Sequence, residues 1–90
     1  MIKGVAIIHK GRKCFMAKPN RHHDVIRFMV EQMGVEPPIT GEQGFFNERF
    51  EFLSREEALK HALEIGQITE HSHERELFSE DVWDKNGEAK

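Results

Sequence analysis

A hairpin-like segment followed by an amphipathic helix occurs twice in this sequence of 90 residues. The first hairpin is rich in β-branched residues and turns at Gly11. The second covers residues 44–52 and turns at 47–48, and its Phe50 and Phe52 alternate with charged residues. Such alternation is typical of a strand with one buried face. The sequence therefore predicts an α+β domain in the order β-β-α-β-β-α, with an antiparallel sheet packed on two helices.

The two helices have the apolar spacing and the terminal residues that helices require. Between Arg21 and Met33 the apolar residues recur at spacings of one, three and four, which makes a single stripe. Asn20 precedes this stretch and is predicted to cap it. Ser54 and Glu57 form a capping box before the second helix, and each helical stretch is followed by a glycine.

Length and element count limit the chain to one domain. A chain of 90 residues buries enough surface for one core. We expect the domain to span residues 1–83 and to contain an irregular loop at 35–43. A polar, frayed end is expected at 84–90. The two halves share no similarity that indicates duplication. Four short strands leave sheet edges exposed, which favours a homo-oligomer.

Charge and hydropathy exclude several classes of partner. The formal net charge is −3, which argues against general affinity for duplex nucleic acid. Apolar runs are too short to span a bilayer, and the apolar run within the first nine residues is too short for the core of a signal peptide. A lone cysteine, Cys14, suits a reducing compartment and a place in the core. We therefore expect a cytosolic protein with no membrane partner.

Polar residues cluster where the first hairpin runs into the first helix: Lys18, Arg21, His22, His23 and Asp24. Free backbone N–H groups and the helix dipole favour an anion there, and arginine and imidazole donors fit phosphate. The register predicts that both histidine rings lie exposed at the helix start. Exposed rings at this point could bind phosphate or exchange protons at a phosphodiester. Alternatively, they are solvated residues at a helix start with no functional role.

Two further patterns are weak indications of a metal or of stacking. The dipeptide His23-Asp24 is found in metal-dependent phosphohydrolases, but two helices leave little room for their other ligands. His71 and His73 lack a third zinc ligand at a recognisable spacing, so we expect no metal and no cofactor. The phenylalanines of the second hairpin fit core packing, although Phe45 or Phe46 is a candidate to stack on a small ligand.

Five strings carry a resemblance to known proteins: residues 21–26 (RHHDVI), 43–45 (QGF), 55–58 (REEA), 66–67 (GQ) and 77–83 (LFSEDVW). In their order and spacing the sequence resembles a group of small, mostly uncharacterised proteins encoded in bacteriophage genomes. The resemblance covers nearly the whole chain. It implies a phage accessory protein that acts in the host bacterial cytosol, where such proteins inhibit host enzymes or sequester nucleotide signals of antiviral defence.

Three functions remain open on these observations. The first is binding of a small phosphorylated ligand, a nucleotide or a nucleotide-derived signal, by residues of the cluster and of the resembling strings. Those predicted ligand-binding residues are Lys18, Arg21, His22, His23, Gln43, Phe45, Arg55, Gln67, Ser79 and Glu80. The second is phosphodiester or glycosidic cleavage, with His22 and His23 as acid and base. The third is inhibition of a host enzyme by the acidic surface and the loop at residues 36–42, with the cluster at the helix start in a structural role only.

Overall fold

The computed structural model describes residues 1–88. The elements follow one another in the predicted order, and a short 3₁₀ helix comes last. Their bounds are β1 (Ile2–His9), β2 (Arg12–Ala17), α1 (His22–Glu31), β3 (Glu42–Asn47), β4 (Phe52–Ser54), α2 (Arg55–Glu64) and the 3₁₀ helix Ser79–Asp81. The predicted α+β class is therefore confirmed.

The four strands form one antiparallel sheet in the order β2-β1-β3-β4. Each hairpin supplies one central strand and one edge strand. The central strands β1 and β3 pair over most of their length, from Ile2 opposite Asn47 to Ile8 opposite Glu42. This central pairing joins the two hairpin-and-helix units into a single sheet.

The first hairpin closes through two residues with left-handed backbone. Lys10 has φ 48° and Gly11 has φ 79°, and His9 pairs with Arg12 across the turn. Two-residue turns of this hand match the right-handed twist of the flanking strands. The predicted turn at Gly11 is therefore confirmed.

The second hairpin differs from the prediction, because its turn is longer. The Asn47 side-chain oxygen accepts from the backbone N–H of Arg49 and of Glu51, each at 3.0 Å. These bonds curl the chain, so Phe50 takes φ 59° and β4 starts only at Phe52. The prediction that Phe50 lies on a buried strand face is wrong, since 70% of it is exposed.

Both helices and the C-terminal segment pack on one face of the sheet. The buried cluster includes the sheet residues Val5, Ile7 and Phe45. Against them lie apolar residues of α1, of α2 and of the segment from Ile68 to Trp83: Val25, Met29, Ala58, Leu59, Ala62, Ile68, Leu77, Val82 and Trp83. The core thus lies in one layer between the sheet and the helices.

The two helix starts are closed by side chains, one of which differs from the prediction. In α2, Ser54 Oγ accepts from Glu57 N at 3.1 Å and Glu57 accepts from Ser54 N at 2.9 Å, as predicted. At α1, however, Asp24 accepts from Arg21 N at 2.7 Å. Asn20 instead donates to the Ala17 carbonyl at 2.8 Å. The predicted cap at Asn20 is wrong because the carboxylate one turn into the helix closes it.

The C-terminal residues that the structure describes form a hydrogen-bonded turn. Asp84 accepts through its side chain from the backbone of Asn86 and Glu88, at 2.9 and 3.0 Å. Residues 89 and 90 lie outside the described residues. The expected domain limit at residue 83 and the frayed end at 84–90 stay predictions.

Gln67, just after α2, holds the start of β1. Its side-chain oxygen accepts from Ile2 N at 2.7 Å, and its side-chain nitrogen donates to Ile2 O at 3.0 Å. The amide thus replaces a neighbouring strand at the first residue of β1. Ile2 itself is 1% exposed, so these backbone groups have little access to water.

Replacement of Gln67 by alanine should lower the free energy of unfolding by about 1–3 kcal/mol, because two polar groups of the Ile2 backbone lose their partners. Urea denaturation followed by Trp83 fluorescence measures this. Gln32→Ala, at an exposed glutamine after α1, is the control and should change stability by less than about 0.5 kcal/mol. Equal effects of the two substitutions would contradict the role of the Gln67 amide.

Candidate functional site

A cleft of about 410 Å³ lies where the starts of α1 and α2 meet the C-terminal segment. We call it the helix-start cleft. It brings together most of the residues predicted from the sequence. Its lining consists of Arg21, His22, His23, Arg55, Phe78, Ser79 and Glu80.

His22, the first residue of α1, is buried against the sheet. Its Nε2 lies 2.7 Å from the Gly44 carbonyl oxygen, which only accepts, so Nε2 carries the proton and donates. Its Nδ1 lies 3.4 Å from an Arg55 Nη2 donor. The ring also meets the edge of Phe45, with 5.3 Å between centroids. Both nitrogens are thus engaged within the protein.

Burial keeps His22 neutral. Desolvation, together with the positive charges of Arg55 and His23, lowers the pKa of His22 to about 4, while the hydrogen bond to Gly44 opposes the shift. The prediction of an exposed ring is wrong for His22, which is 9% exposed. The reason is that β3 passes beside the start of α1 and supplies an acceptor. A neutral, doubly engaged imidazole positions Arg55 rather than exchanging protons near pH 7.

Arg55 is the first residue of α2 and reaches across the cleft. Its guanidinium donates to the Leu77 carbonyl at 2.8 Å and to the Gln43 side-chain oxygen at 2.7 Å. It lies over the Phe78 ring, with 4.3 Å from Cζ to the centroid. Desolvation lowers the pKa of Arg55 and the negative charge of Glu76 opposes this shift, and an arginine stays charged at neutral pH.

Arg21 reaches the same cleft from the other side. Its guanidinium donates to Ser79 Oγ at 3.3 Å and to the Trp83 carbonyl at 3.0 Å. Within residues 1–88, no carboxylate makes an ion pair with Arg21 or with Arg55. Both cations are half-buried and are held by neutral acceptors. Neither cation therefore has a carboxylate at ion-pair distance among these residues, although the negative charge of Glu76 acts on Arg55 from farther away.

His23 has a different environment from His22. Its side chain is 71% exposed, and Nε2 lies 3.4 Å from an Asp24 oxygen. The ring is at the rim of the cleft and is open to water. His23 is therefore accessible to a ligand, as predicted for the helix start.

Gln43 and three other predicted residues do not line the cleft. Gln43 contacts Arg55 and lines the adjoining surface instead. Lys18 is exposed beyond the end of β2. Phe45 is fully buried beneath the sheet and has no surface for a ligand, so its predicted stacking role is wrong. Gln67 is bound to Ile2 at the start of β1. Gln43 pairs with Ile7, near the other end of that strand.

Sequence reasoning missed Phe78 and the carbonyl groups of the C-terminal segment. Phe78 lies within the string at residues 77–83 from which only Ser79 and Glu80 were selected. The ring contacts Arg55 and also the His73 ring, at 4.1 Å between centroids. Selecting polar residues alone excluded it. The Leu77 and Trp83 carbonyls depend on how this segment folds back, for which the sequence holds no local signal.

Two general features of residues 1–88 complete the description. No three histidine, cysteine or acidic side chains in this part of the chain are grouped so that they could hold a metal ion. Neither helix is long and apolar enough to cross a membrane. Cys14 is buried in the core, and desolvation raises the pKa of its thiol.

Comparison with known proteins places the chain in a phage family. The sequence model of the phage T4 y16D protein family matches residues 1–83. The chain belongs to this family. The match covers every element from β1 to the 3₁₀ helix and all residues of the helix-start cleft. The comparisons with curated proteins and with solved structures give no match.

The low pKa of His22 should make the protein less stable in mild acid. In the unfolded chain this histidine titrates near its ordinary 6.5, and in the folded chain near 4, so between these values the unfolded state binds the extra proton. Stability should therefore fall as the pH drops through this window, by about 2 kcal/mol between pH 7.5 and 5. Denaturation curves at several pH values measure the loss.

His22→Gln should remove most of this pH dependence, since glutamine donates to the Gly44 carbonyl without titrating. His71→Gln, at an exposed histidine outside the cleft, is the matched control and should keep the wild-type profile. A His22→Gln profile parallel to that of the wild type would show that burial of this ring does not set the acid sensitivity.

Proposed function

We propose that this protein is a phage accessory protein that binds a small phosphorylated ligand in the helix-start cleft, with a nucleotide or a nucleotide-derived signal as the ligand class. One observation carries the proposal: Arg21 and Arg55 are half-buried in one cleft without a carboxylate partner among the described residues. A partly desolvated cation without a close counter-charge is unfavourable, and the more distant Glu76 acts on Arg55 alone. A bound anion would supply a close counter-charge to both arginines.

The donors that remain free are suited to phosphate. Arg21 and Arg55 each carry five N–H donors, and the contacts within the protein use only part of them. The backbone N–H groups of His22 and His23 in the first turn of α1 have no hydrogen-bond acceptor within residues 1–88, whereas that of Asp24 donates to the Arg21 carbonyl. The helix dipole favours an anion at this end. A phosphate at this point would receive guanidinium and main-chain donors together.

The other lining residues suit the remainder of a nucleotide. Glu80 is exposed at the cleft and can accept from a sugar hydroxyl or from an amino group of a base. Phe78, instead of the buried Phe45, offers an aromatic surface. The volume of about 410 Å³ is in the lower part of the range for small-ligand sites. It favours a ligand the size of one mononucleotide.

Binding is favoured over cleavage by the state of His22. An acid–base pair needs two groups that exchange protons near neutral pH. His22 has a pKa of about 4 and both nitrogens engaged, so it does not serve as one member of such a pair. We therefore propose a protein that holds its ligand without cleaving it. In the cytosol of an infected bacterium, such a protein would lower the free concentration of a host nucleotide signal.

Calorimetric titration with inorganic phosphate, nucleoside mono- and diphosphates, and cyclic mono- and dinucleotides tests the proposal. We expect binding of at least one nucleotide. Arg21→Gln and Arg55→Gln should each weaken it about 10- to 100-fold, because each removes charge-assisted hydrogen bonds of about 1.5–3 kcal/mol. Mass spectrometry of the ligand recovered after heating should return it intact.

Arg27→Gln is the matched control, since Arg27 is an exposed arginine of α1 outside the cleft. Arg55→Lys keeps the charge but loses the planar fork, and should bind between the wild type and Arg55→Gln. Near-ultraviolet circular dichroism of Trp83 verifies that each variant is folded. Absence of binding across the panel, or equal weakening by Arg27→Gln, would refute the proposal.

A further inference from the structure

The face of the sheet opposite the helices carries a group of phenylalanines. Strand residues alternate between the faces, so the neighbours of Val5, Ile7 and Phe45 point away from the core. We call this side the open sheet face. Register places on it Lys13, Phe15 and Ala17 of β2, Gly4, Ala6 and Ile8 of β1, Glu42, Gly44 and Phe46 of β3, and Phe52 and Ser54 of β4.

Glycines allow the rings on this face to lie against the backbone. A Cβ added at Gly4 would come within 2.5 Å of Phe46 Cε1, and one added at Gly44 within 2.6 Å of Phe52 Cζ. Such separations do not occur between real atoms, so the rings occupy the space of the missing side chains. The result is a surface with little relief over the central strands.

Three rings on this side form a column. Phe46 stacks on Phe15, with centroids 5.2 Å apart and planes 7° apart, and on Phe50, with centroids 5.5 Å apart and planes 8° apart. Phe46 is 4% exposed within the column, whereas Phe50 at its end is 70% exposed. The column therefore ends in a large apolar side chain that nothing in the described chain buries.

We propose that the open sheet face binds the same face of a second copy of this chain, so that the two sheets pack between two outer layers of helices. Aligned sheets pack about 10 Å apart with strands within about 30° of each other. A two-fold axis parallel to the strands would set β2 of one copy opposite β4 of the other, and β1 opposite β3. The proposal is independent of the helix-start cleft.

The sizes of the side chains are complementary under this rotation. One cross-strand row of the sheet begins with Phe15 on β2 and ends with Ser54 on β4. The next row begins with Ala17 on β2 and ends with Phe52 on β4. The axis therefore places each large ring opposite a small residue of the second copy. Alternation of large and small side chains across an interface allows close packing.

The charges are complementary as well. Lys13, Ile8 and Glu42 form one cross-strand row, with the two exposed charges on either side of the isoleucine. The axis brings Lys13 to within about one strand spacing, ~4.8 Å laterally, of Glu42 of the second copy. Each dimer would hold this contact twice. Opposite charges at such a rim favour the correct pairing and orientation.

A single-stranded nucleic acid fits the face less well, although strand-borne aromatics stack bases in other proteins. Both faces of the Phe46 ring are already covered by Phe15 and Phe50. The chain carries a net charge of −3, and Glu42 offsets Lys13 on the face itself. Backbone binding depends on an excess of positive charge, which is lacking. A second copy is therefore the occupant that the charges favour.

The size of the face sets the strength of the association. The four strands have 8, 6, 6 and 3 residues, which cover roughly 360 Å² of flat area. A standard stable interface buries about 800 Å² per partner, so this face alone is at the weak end. We therefore expect a reversible dimer whose population depends on protein concentration, rather than an obligate one.

Sedimentation equilibrium of the full chain at about 5–500 µM, without added ligand, tests the proposal. The mean mass of the wild type should rise from 10.5 kDa toward twice that value. Phe50→Ser should weaken dimerisation at least tenfold. Phe28→Ser is the control, because Phe28 is another exposed phenylalanine, 41% accessible, but on α1. Its dimerisation should equal that of the wild type.

A charge swap distinguishes this interface from any other. Lys13→Glu and Glu42→Lys should each weaken the dimer, because like charges then meet twice across the axis. The double variant should recover most of the association, since the pairs are opposite again. A monomeric wild type throughout the range, equal weakening by Phe28→Ser, or no recovery in the double variant would overturn the proposal. Binding of oligothymidylate by a wild type that stays monomeric would assign the face to nucleic acid instead.

Discussion

The Arg55 guanidinium connects parts of the chain that are far apart in sequence. It binds the Gln43 side chain on β3 and the Leu77 carbonyl in the C-terminal segment, and it lies over the Phe78 ring. His22 at the start of α1 offers it a neutral nitrogen. All of these contacts are uncharged, and within residues 1–88 the nearby negative charge of Glu76 forms no close ion pair with the guanidinium. The helix-start cleft depends on this one group more than on any other.

The parts of the fold that follow from local chemistry could be predicted. The Ser54 capping box and the turn at Gly11 each involve residues close in sequence, and both are present in the structure. The errors arose where two local solutions compete. Asp24 and Asn20 are both able to close the first helix, and the carboxylate does so. The second turn was misjudged because Asn47 binds backbone groups two and four residues ahead.

The site could be predicted only in part, because its residues come from strings whose spatial order the sequence does not state. Arg21, Arg55 and Ser79 meet as expected once the C-terminal segment folds back. Phe45 was misplaced because a one-residue step in a strand changes the face on which a side chain lies. The burial of His22 depends on the neighbouring β3 strand, which supplies the Gly44 carbonyl. No property of the helix alone indicates it.

The central position of β1 and β3 has a consequence for how the chain folds. Each hairpin contains only contacts close in sequence, which form quickly, but an isolated hairpin is marginally stable in water. The pairing of β1 with β3 joins the two halves, so neither half completes its sheet before the other arrives. The loop from α1 to β3 must close before this pairing can stabilise the sheet. Closure of that loop is therefore expected to be the slow step of folding. The repeated unit therefore behaves as half of one cooperative structure rather than as a module.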